Sequence, residues 1–317
     1  MHGGLEPTRD GRRALPEVDA QRAGAALGRR LGSALRKIVP SRPHGPCGGA
    51  GRRRQLPQRD LGLPGAQNGL SASPAEVLPA SASPGLVVSD LSKRYRGKLA
   101  VDQLSFRLPR GEVVALLGPN GAGKTTTMMC LAGLVRPDSG SIAWQDRELG
   151  PERGRWVALI PETPEIYGML TVWEHLVFVA KSCRLPAGWE DRGDGLLERL
   201  ALAAERDTLA EGLSKGMRQK LLVASVVLAG APVLLLDEPM IGLDPSAQRE
   251  LRKIILELRE QGTAVMVSTH LLSSVESYCD HLLILKEGRC LAAGTLPELL
   301  RERGKGSLEE AFLDIVE

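Results

Sequence analysis

The chain has 317 residues, of which 43% are hydrophobic, 25% charged and only 3% aromatic, and its formal net charge is +3. That apolar fraction supports a sizeable core, in one large domain or two ordinary ones. The charge is uneven: residues 1–85 hold 13 basic against 6 acidic side chains, and the remainder 28 against 32. A mildly acidic body excludes the broad basic surface of a nucleic-acid binder. Cys47, Cys130, Cys183, Cys279 and Cys290 are odd in number and none is spaced as Cys-x-x-Cys. This argues against a disulfide framework or zinc site and fits a reducing compartment.

Residues 1–85 contain no Phe, Trp or Tyr and are rich in Gly, Pro, Ala and Arg, with 71–85 reading as a linker. Such a segment buries too little apolar surface to offset its ordering entropy. It is therefore expected to be a disordered basic extension, or the product of a start site placed upstream in a GC-rich gene. An organelle-targeting peptide is a second reading, against which Glu6, Asp10, Glu17 and Asp19 argue. A basic arm for anionic lipid or RNA is a third.

The pattern changes at Leu86. Segments 86–88 and 100–108 alternate like strands, and 112–117 is a nearly continuous apolar run, as in a strand covered on both faces. A glycine-rich turn follows, then a helix over 124–134, a turn at 137–140 and a strand at 157–160. Residues 164–229 read as mostly helical. The longest apolar stretch, 221–236, is interrupted by Gly230 and Pro232. It falls short of the ~20 residues a membrane span needs and reads as a buried helix, a turn and a strand at 233–236. A strand at 264–268 and helices at 248–261 and 296–303 complete an α/β domain over 86–317 with an inserted helical part. With no spanning or secretory run, action at a membrane would need another chain to cross it.

The chemistry concentrates in a few motifs. Gly118-Pro119-Asn120-Gly121-Ala122-Gly123-Lys124-Thr125 fits G-x-x-x-x-G-K-[ST], follows an apolar strand and opens a helix that continues with Thr126. Glycines let backbone N–H groups close around phosphate oxygens, and the helix N-terminus adds positive potential. Lys124 is expected to reach the β- and γ-phosphates of ATP and Thr125 to ligate Mg²⁺. The strand 233–236 runs into Asp237 and Glu238. This places Asp237 beside the Mg²⁺ site and Glu238 where it can orient or deprotonate water.

Around these, Leu213-Ser214-Lys215-Gly216-Met217-Arg218-Gln219 resembles the signature motif of ABC ATPases, usually written LSGGQ. Gly242-Leu243-Asp244-Pro245 resembles the D-loop, Ser268-Thr269-His270 the switch histidine, and Tyr95 the aromatic that stacks on adenine. The resemblance covers about 86–317. It implies the P-loop NTPase fold of ABC ATPases, a mixed sheet core with an antiparallel β subdomain and an inserted helical subdomain. It further implies a head-to-tail dimer, most simply a homodimer, with two ATP molecules at its interface. Ser214 and Gly216 would contact the γ-phosphate on the opposite copy, Asp244 would join the two sites, and His270 would contact the γ-phosphate and water. Catalytic roles fall to Glu238, His270 and Lys124, and metal ligation to Thr125, Asp237 and Glu162. The partner would be a transmembrane permease holding the chain on the cytoplasmic face.

Two departures stand out. Lys215 replaces a glycine of the signature while Gly216 is retained, and Glu162 stands where a glutamine usually ligates Mg²⁺. A carboxylate serves Mg²⁺ as well; an ordinary loop role for Glu162 stays open. The following segment, with Tyr167 and Trp173, resembles the face that docks a permease. Trp173 reads equally as core. The ending Ser307-Leu-Glu-Glu-Ala-Phe-Leu-Asp-Ile315 resembles that of ATPase subunits serving ABC-2-type exporters, and also reads as a terminal helix with Leu308, Phe312 and Ile315 on one face. The expected function is ATP hydrolysis driving a separate exporter permease. The rivals are a soluble ABC ATPase outside transport and a nucleotide-binding regulatory module without turnover.

Overall fold

Residues 85–150, 153–270 and 272–317 are described by the computed structural model, so the expectations for residues 1–84 lie outside the described residues. Gly85, grouped with that block by composition, immediately precedes β1 and is tied to the first sheet. Its carbonyl accepts from Gln145 N–H at 2.8 Å, and a Cβ there would stand 1.9 Å from Leu108 O.

The first sheet is antiparallel, in the order β2-β1-β4-β5, built from β1 (Leu86–Tyr95), β2 (Lys98–Leu108), β4 (Ser139–Trp144) and β5 (Arg147–Glu148). The β1–β2 hairpin runs further than its apolar pattern because its tip is polar. Arg96 (φ 44°) and Gly97 (φ 89°) form the two-residue turn, whose paired positive φ values match the twist of the strands. The turn expected at 137–140 is cut short: Ser139 and Gly140 already pair in β4. Gly140 (φ 94°) passes so close to β1 that a Cβ would meet Leu91 Cα at 2.6 Å.

The second sheet has the order β10-β9-β3-β8-β7-β6. It contains β3 (Val113–Leu117), β6 (Val157–Ile160), β7 (Val233–Asp237), β8 (Ala264–Ser268), β9 (His281–Lys286) and β10 (Arg289–Gly294). Pairing is parallel from β9 to β6, with β10 antiparallel at the edge. Every residue of β3, β7 and β8 is buried, which is why these strands read as unbroken apolar runs. Successive side chains alternate between faces. Leu234, Leu236, Val265 and Val267 pack toward the helices, whereas Leu235 and Met266 pack toward the antiparallel sheet.

The helices are α1 (Lys124–Ala132), α2 (Val172–Cys183), α3 (Trp189–Arg199), α4 (Lys215–Ala229), α5 (Pro245–Glu260), α6 (Leu272–Val275), α7 (Leu296–Arg303) and α8 (Leu308–Val316). Helix α1 stops short of the expected 134 because Gly133 (φ 81°) turns left-handed. Helix α5 begins before the expected 248: Asp244 caps it, accepting from the N–H groups of Ser246 and Ala247, with Pro245 in the first turn. The helical part is α2, α3 and α4 with two single turns between. In α8, Leu308 and Ile315 are buried against β3 and β9, with Phe312 packed beside them, as the apolar spacing indicates.

One buried cation braces α1. Arg153 donates to Cys130 O from Nε at 3.0 Å and Nη2 at 2.6 Å, and to Gly150 O from Nη1 at 3.1 Å. A guanidinium is favourable at the negative end of a helix dipole, although burial lowers its pKa. Hydrogen bonds to a charged group are worth roughly 1.5–3 kcal/mol each. Two of the three bonds share the Cys130 carbonyl, so with two acceptors left unpaired at the lower value Arg153→Met should lower unfolding free energy by about 3 kcal/mol in a denaturant titration. An unchanged midpoint would remove the brace from the account.

Candidate active site

The phosphate loop joins the C-terminal end of β3 to α1. Gly118 (φ 154°) and Gly123 (φ 102°) are both indispensable for close approach: a Cβ would stand 2.3 Å from Leu285 O and 2.4 Å from Ala100 O respectively. Gly123 is also the N-cap of α1, so no side chain caps that end, and no acidic residue lies in its first turn. The N–H groups at this terminus are thus left for an incoming anion. Lys124 folds back over the loop, donating from Nζ to Gly118 O at 2.7 Å and Pro119 O at 3.2 Å. Burial lowers its pKa, opposed by the nearby charges of Glu238 and Asp237.

Asp237 ends β7 and is held from two sides. Thr125 Oγ1 donates to Oδ2 at 2.7 Å and Ser268 Oγ donates to Oδ1. Ser268 lies opposite Asp237 in the β7–β8 register. In the sequence Ser268 stands only as part of the Ser-Thr-His motif; the pairing of the two strand ends is the signal that marks it as a partner of Asp237. Glu238 follows with φ 48°, a conformation costly for a non-glycine residue and concentrated at functional sites. His270 Nδ1 lies 2.9 Å from Glu238 Oε1. A carboxylate only accepts, so Nδ1 carries the proton.

Lys124, Thr125, Asp237 and Glu238 share a cleft of about 450 Å³ whose lining includes Tyr95, Asn120–Thr126 and Glu162, while Ser268 and His270 do not line it and reach it through Asp237 and Glu238. Lys98, Leu99 and Ala100, absent from the sequence-derived set, complete one wall. They come from the hairpin that also presents Tyr95, which is 44% exposed. Gly118 and Pro119 form the base of the loop behind it. Ser214 and Gly216 do not line this cleft. Ser214 caps α4, accepting from Met217 N–H at 3.2 Å, and is exposed. A Cβ on Gly216 would stand 2.8 Å from Gly242 O. Lys215 is exposed, so one glycine of the signature is sterically required within the chain and the other is not. Lys220 Nζ pairs with Asp244 Oδ2 at 3.1 Å, tying α4 to the following loop.

Tyr167 and Trp173 are half-buried against other rings. Tyr167 meets Phe178 edge-on at 5.3 Å, and Trp173 stacks on Trp189 at 5.3 Å beneath Arg206 at 3.4 Å. The exposed apolar side chains nearby are Met169 and Leu209. His175 holds this segment: Nε2 accepts from Tyr167 N–H at 3.0 Å and Nδ1–H donates to Thr171 O at 2.8 Å. Burial lowers its pKa below the ordinary 6.5, against smaller raising effects from Thr171 and Glu174. The unfolded chain then binds the proton more readily, so this contribution is complete above pH 6.5 and declines as pH falls below it. His175→Asn should flatten the stability–pH profile below that point in parallel denaturant titrations; identical slopes would exclude the effect.

A glycine loop between a buried parallel strand and a helix, with a serine- and threonine-held aspartate facing it, defines a phosphate-loop nucleotide-binding domain. The ABC transporter family model matches residues 101–241. The lipopolysaccharide export system ATP-binding protein LptB of Acidithiobacillus ferridurans is 35% identical over 68% of this chain and 92% of its own length. The SkfA peptide export ATP-binding protein SkfE of Bacillus subtilis is 37% identical over 67% and 89%. A solved ATP-binding subunit of an ABC transporter superposes with a TM-score of 0.70 at 38% identity, covering 73% of this chain and 98% of that one. The chain belongs to the ATP-binding, ATP-hydrolysing subunits of ABC transporters. Among the described residues no helix is long and apolar enough to cross a membrane.

Proposed function

We propose that this chain powers an exporter, with two copies closing head to tail over two ATP molecules on the cytoplasmic face of a permease. The observation that carries this is the one-sided cleft. The phosphate loop, Asp237 and Glu238 line it, while the exposed Ser214 and the N-terminus of α4 do not. A second copy supplying Ser214 and Gly216 would close the open side. The export direction draws on LptB and SkfE, both named as parts of export systems, and on the resemblance of the ending 307–315. Met169 and Leu209 offer the apolar surface for the permease.

In this reading the N–H groups of the loop and Lys124 Nζ bind the β- and γ-phosphates, and Tyr95 stacks on the adenine. Thr125 Oγ1, Asp237 and Glu162 would hold Mg²⁺, which neutralises charge on the transferred phosphoryl group. The donors fit: all are oxygen, as Mg²⁺ prefers, and the protein offers too few for a closed cage, so phosphate oxygens complete the shell. No group of three or more His, Cys, Asp or Glu suited to a metal occurs among the described residues. Glu238 accepts a proton of the attacking water as the water oxygen bonds to the γ-phosphorus and the bond from that phosphorus to the ADP oxygen breaks, giving ADP and phosphate. The Nδ1–H of His270 fixes Glu238 Oε1 and leaves its other oxygen for that proton.

The test is ATP-dependent dimerisation of a Glu238→Gln chain, read by light scattering, with co-purification of a transmembrane protein from solubilised membranes. A monomer at saturating ATP would overturn the shared site. Recovery of the chain without any membrane partner would overturn the transport role.

A further inference from the structure

We propose that a second cleft, at the edge of the central sheet opposite the phosphate loop, binds a single-chain amphiphilic anion of the fatty-acid type. The cleft lies between α3 of the helical part and the C-terminal ends of α4 and α5, with a volume of about 580 Å³. Pro232 and Thr263, which line it, immediately precede β7 and β8, whereas the phosphate loop follows the other end of the sheet. Ligand pockets of roughly 300–1,000 Å³ favour such junctions between structural units, with apolar walls and a few polar groups.

The walls set the chemistry. Leu196, Val227, Leu228, Ile254 and Leu258 form an apolar floor. This suits one hydrocarbon chain. Three guanidinium groups stand around the floor. Arg199 is neutralised, donating to Glu250 at 2.7 Å and bidentately to Glu257 at 2.8 and 2.9 Å. Among the described residues Arg192 has no ion pair, and there Arg110 has a long hydrogen bond to Gly262 O at 3.4 Å and the face of Trp144 at 5.9 Å but no carboxylate. With Glu257 offsetting Arg199, the lining carries two uncompensated positive charges. A guanidinium fork matches a carboxylate bidentately, so an apolar body with an anionic head complements both floor and rim.

Gly195 provides the means to test this. It lines the cleft from within α3, and a Cβ added there meets nothing within 4 Å. A large side chain at 195 enters open space, and loss of a mid-helix glycine favours the helix. Calorimetric titration of the full chain with decanoate should give saturable binding. Gly195→Trp should weaken it at least tenfold while binding ATP as the unmodified chain does. The pair Arg110→Gln with Arg192→Gln should weaken it similarly, and decanol should bind the unmodified chain at least tenfold less tightly than decanoate. Absence of saturable decanoate binding, or equal affinity in Gly195→Trp, would overturn the site. Equal affinity for decanol would overturn the anionic specificity. If Gly195→Trp fails to bind ATP and so to fold, the arginine pair decides.

Discussion

Glu238→Gln is expected to reduce ATP turnover at least a hundredfold while leaving ATP binding intact. A positioned general base contributes roughly 10²–10⁴-fold, and an amide retains the shape of the carboxylate without its basicity. The substitution leaves the surroundings in place. The His270 Nδ1–H can still donate to an amide oxygen at the position of Oε1, and the backbone bond from Glu238 N–H to Ser268 O, 3.0 Å, does not involve the side chain. The left-handed backbone at 238 is likewise unaltered by a glutamine. Turnover should therefore fall without a change in thermal midpoint. A steady-state rate within tenfold of the unmodified chain would displace Glu238 from the proposed role.

Lys124→Ala should separate binding from stability in the opposite sense. Burial lowers the pKa of this ammonium, so folding holds a charge where solvent is partly excluded. Its partners are carbonyl oxygens of its own loop rather than a carboxylate. Removing it should leave the thermal midpoint unchanged or raised. ATP affinity should fall at least a hundredfold, since two charge-assisted bonds to phosphate at about 1.5–3 kcal/mol each exceed the 2.7 kcal/mol that corresponds to that factor. Nucleotide titration and a thermal melt on the same preparation provide both readings. Unimpaired ATP affinity would refute phosphate recognition by Lys124.

The central sheet was legible because β3, β7 and β8 are covered on both faces, which leaves unbroken apolar runs. The loop, Asp237 and Glu238 were legible because each lies where such a run ends. The hairpins were not. β9–β10 turns at Glu287 (φ 52°) and Gly288 (φ 81°), and β1–β2 at Arg96 and Gly97, so in both a charged residue occupies the first turn position and conceals the turn. Between the docking and core readings of Trp173 the sequence could not choose, because the partners Trp189 and Arg206 that half-bury it, like Phe178 against Tyr167, are brought in by the packing of separate segments. Ser268 needed strand register, and the one-sidedness of the cleft needed the fold.

The hairpin that presents Tyr95 bears on the choice of fuel. Stacking on an aromatic face is available to any base, and the wall beside Tyr95 is Leu99, Ala100 and Lys98, whose ammonium donates equally to N7 of either purine and is the one polar side chain of that wall. If adenine stacks there as proposed, selectivity rests on phosphates common to all nucleoside triphosphates. GTP should then be hydrolysed with kcat/KM within about tenfold of ATP, since rejecting an analogue by much more requires buried polar groups left unpaired; a larger preference would point to a base-reading contact from the second copy. Which nucleotide drives the transporter would in that case follow from relative concentration rather than from recognition.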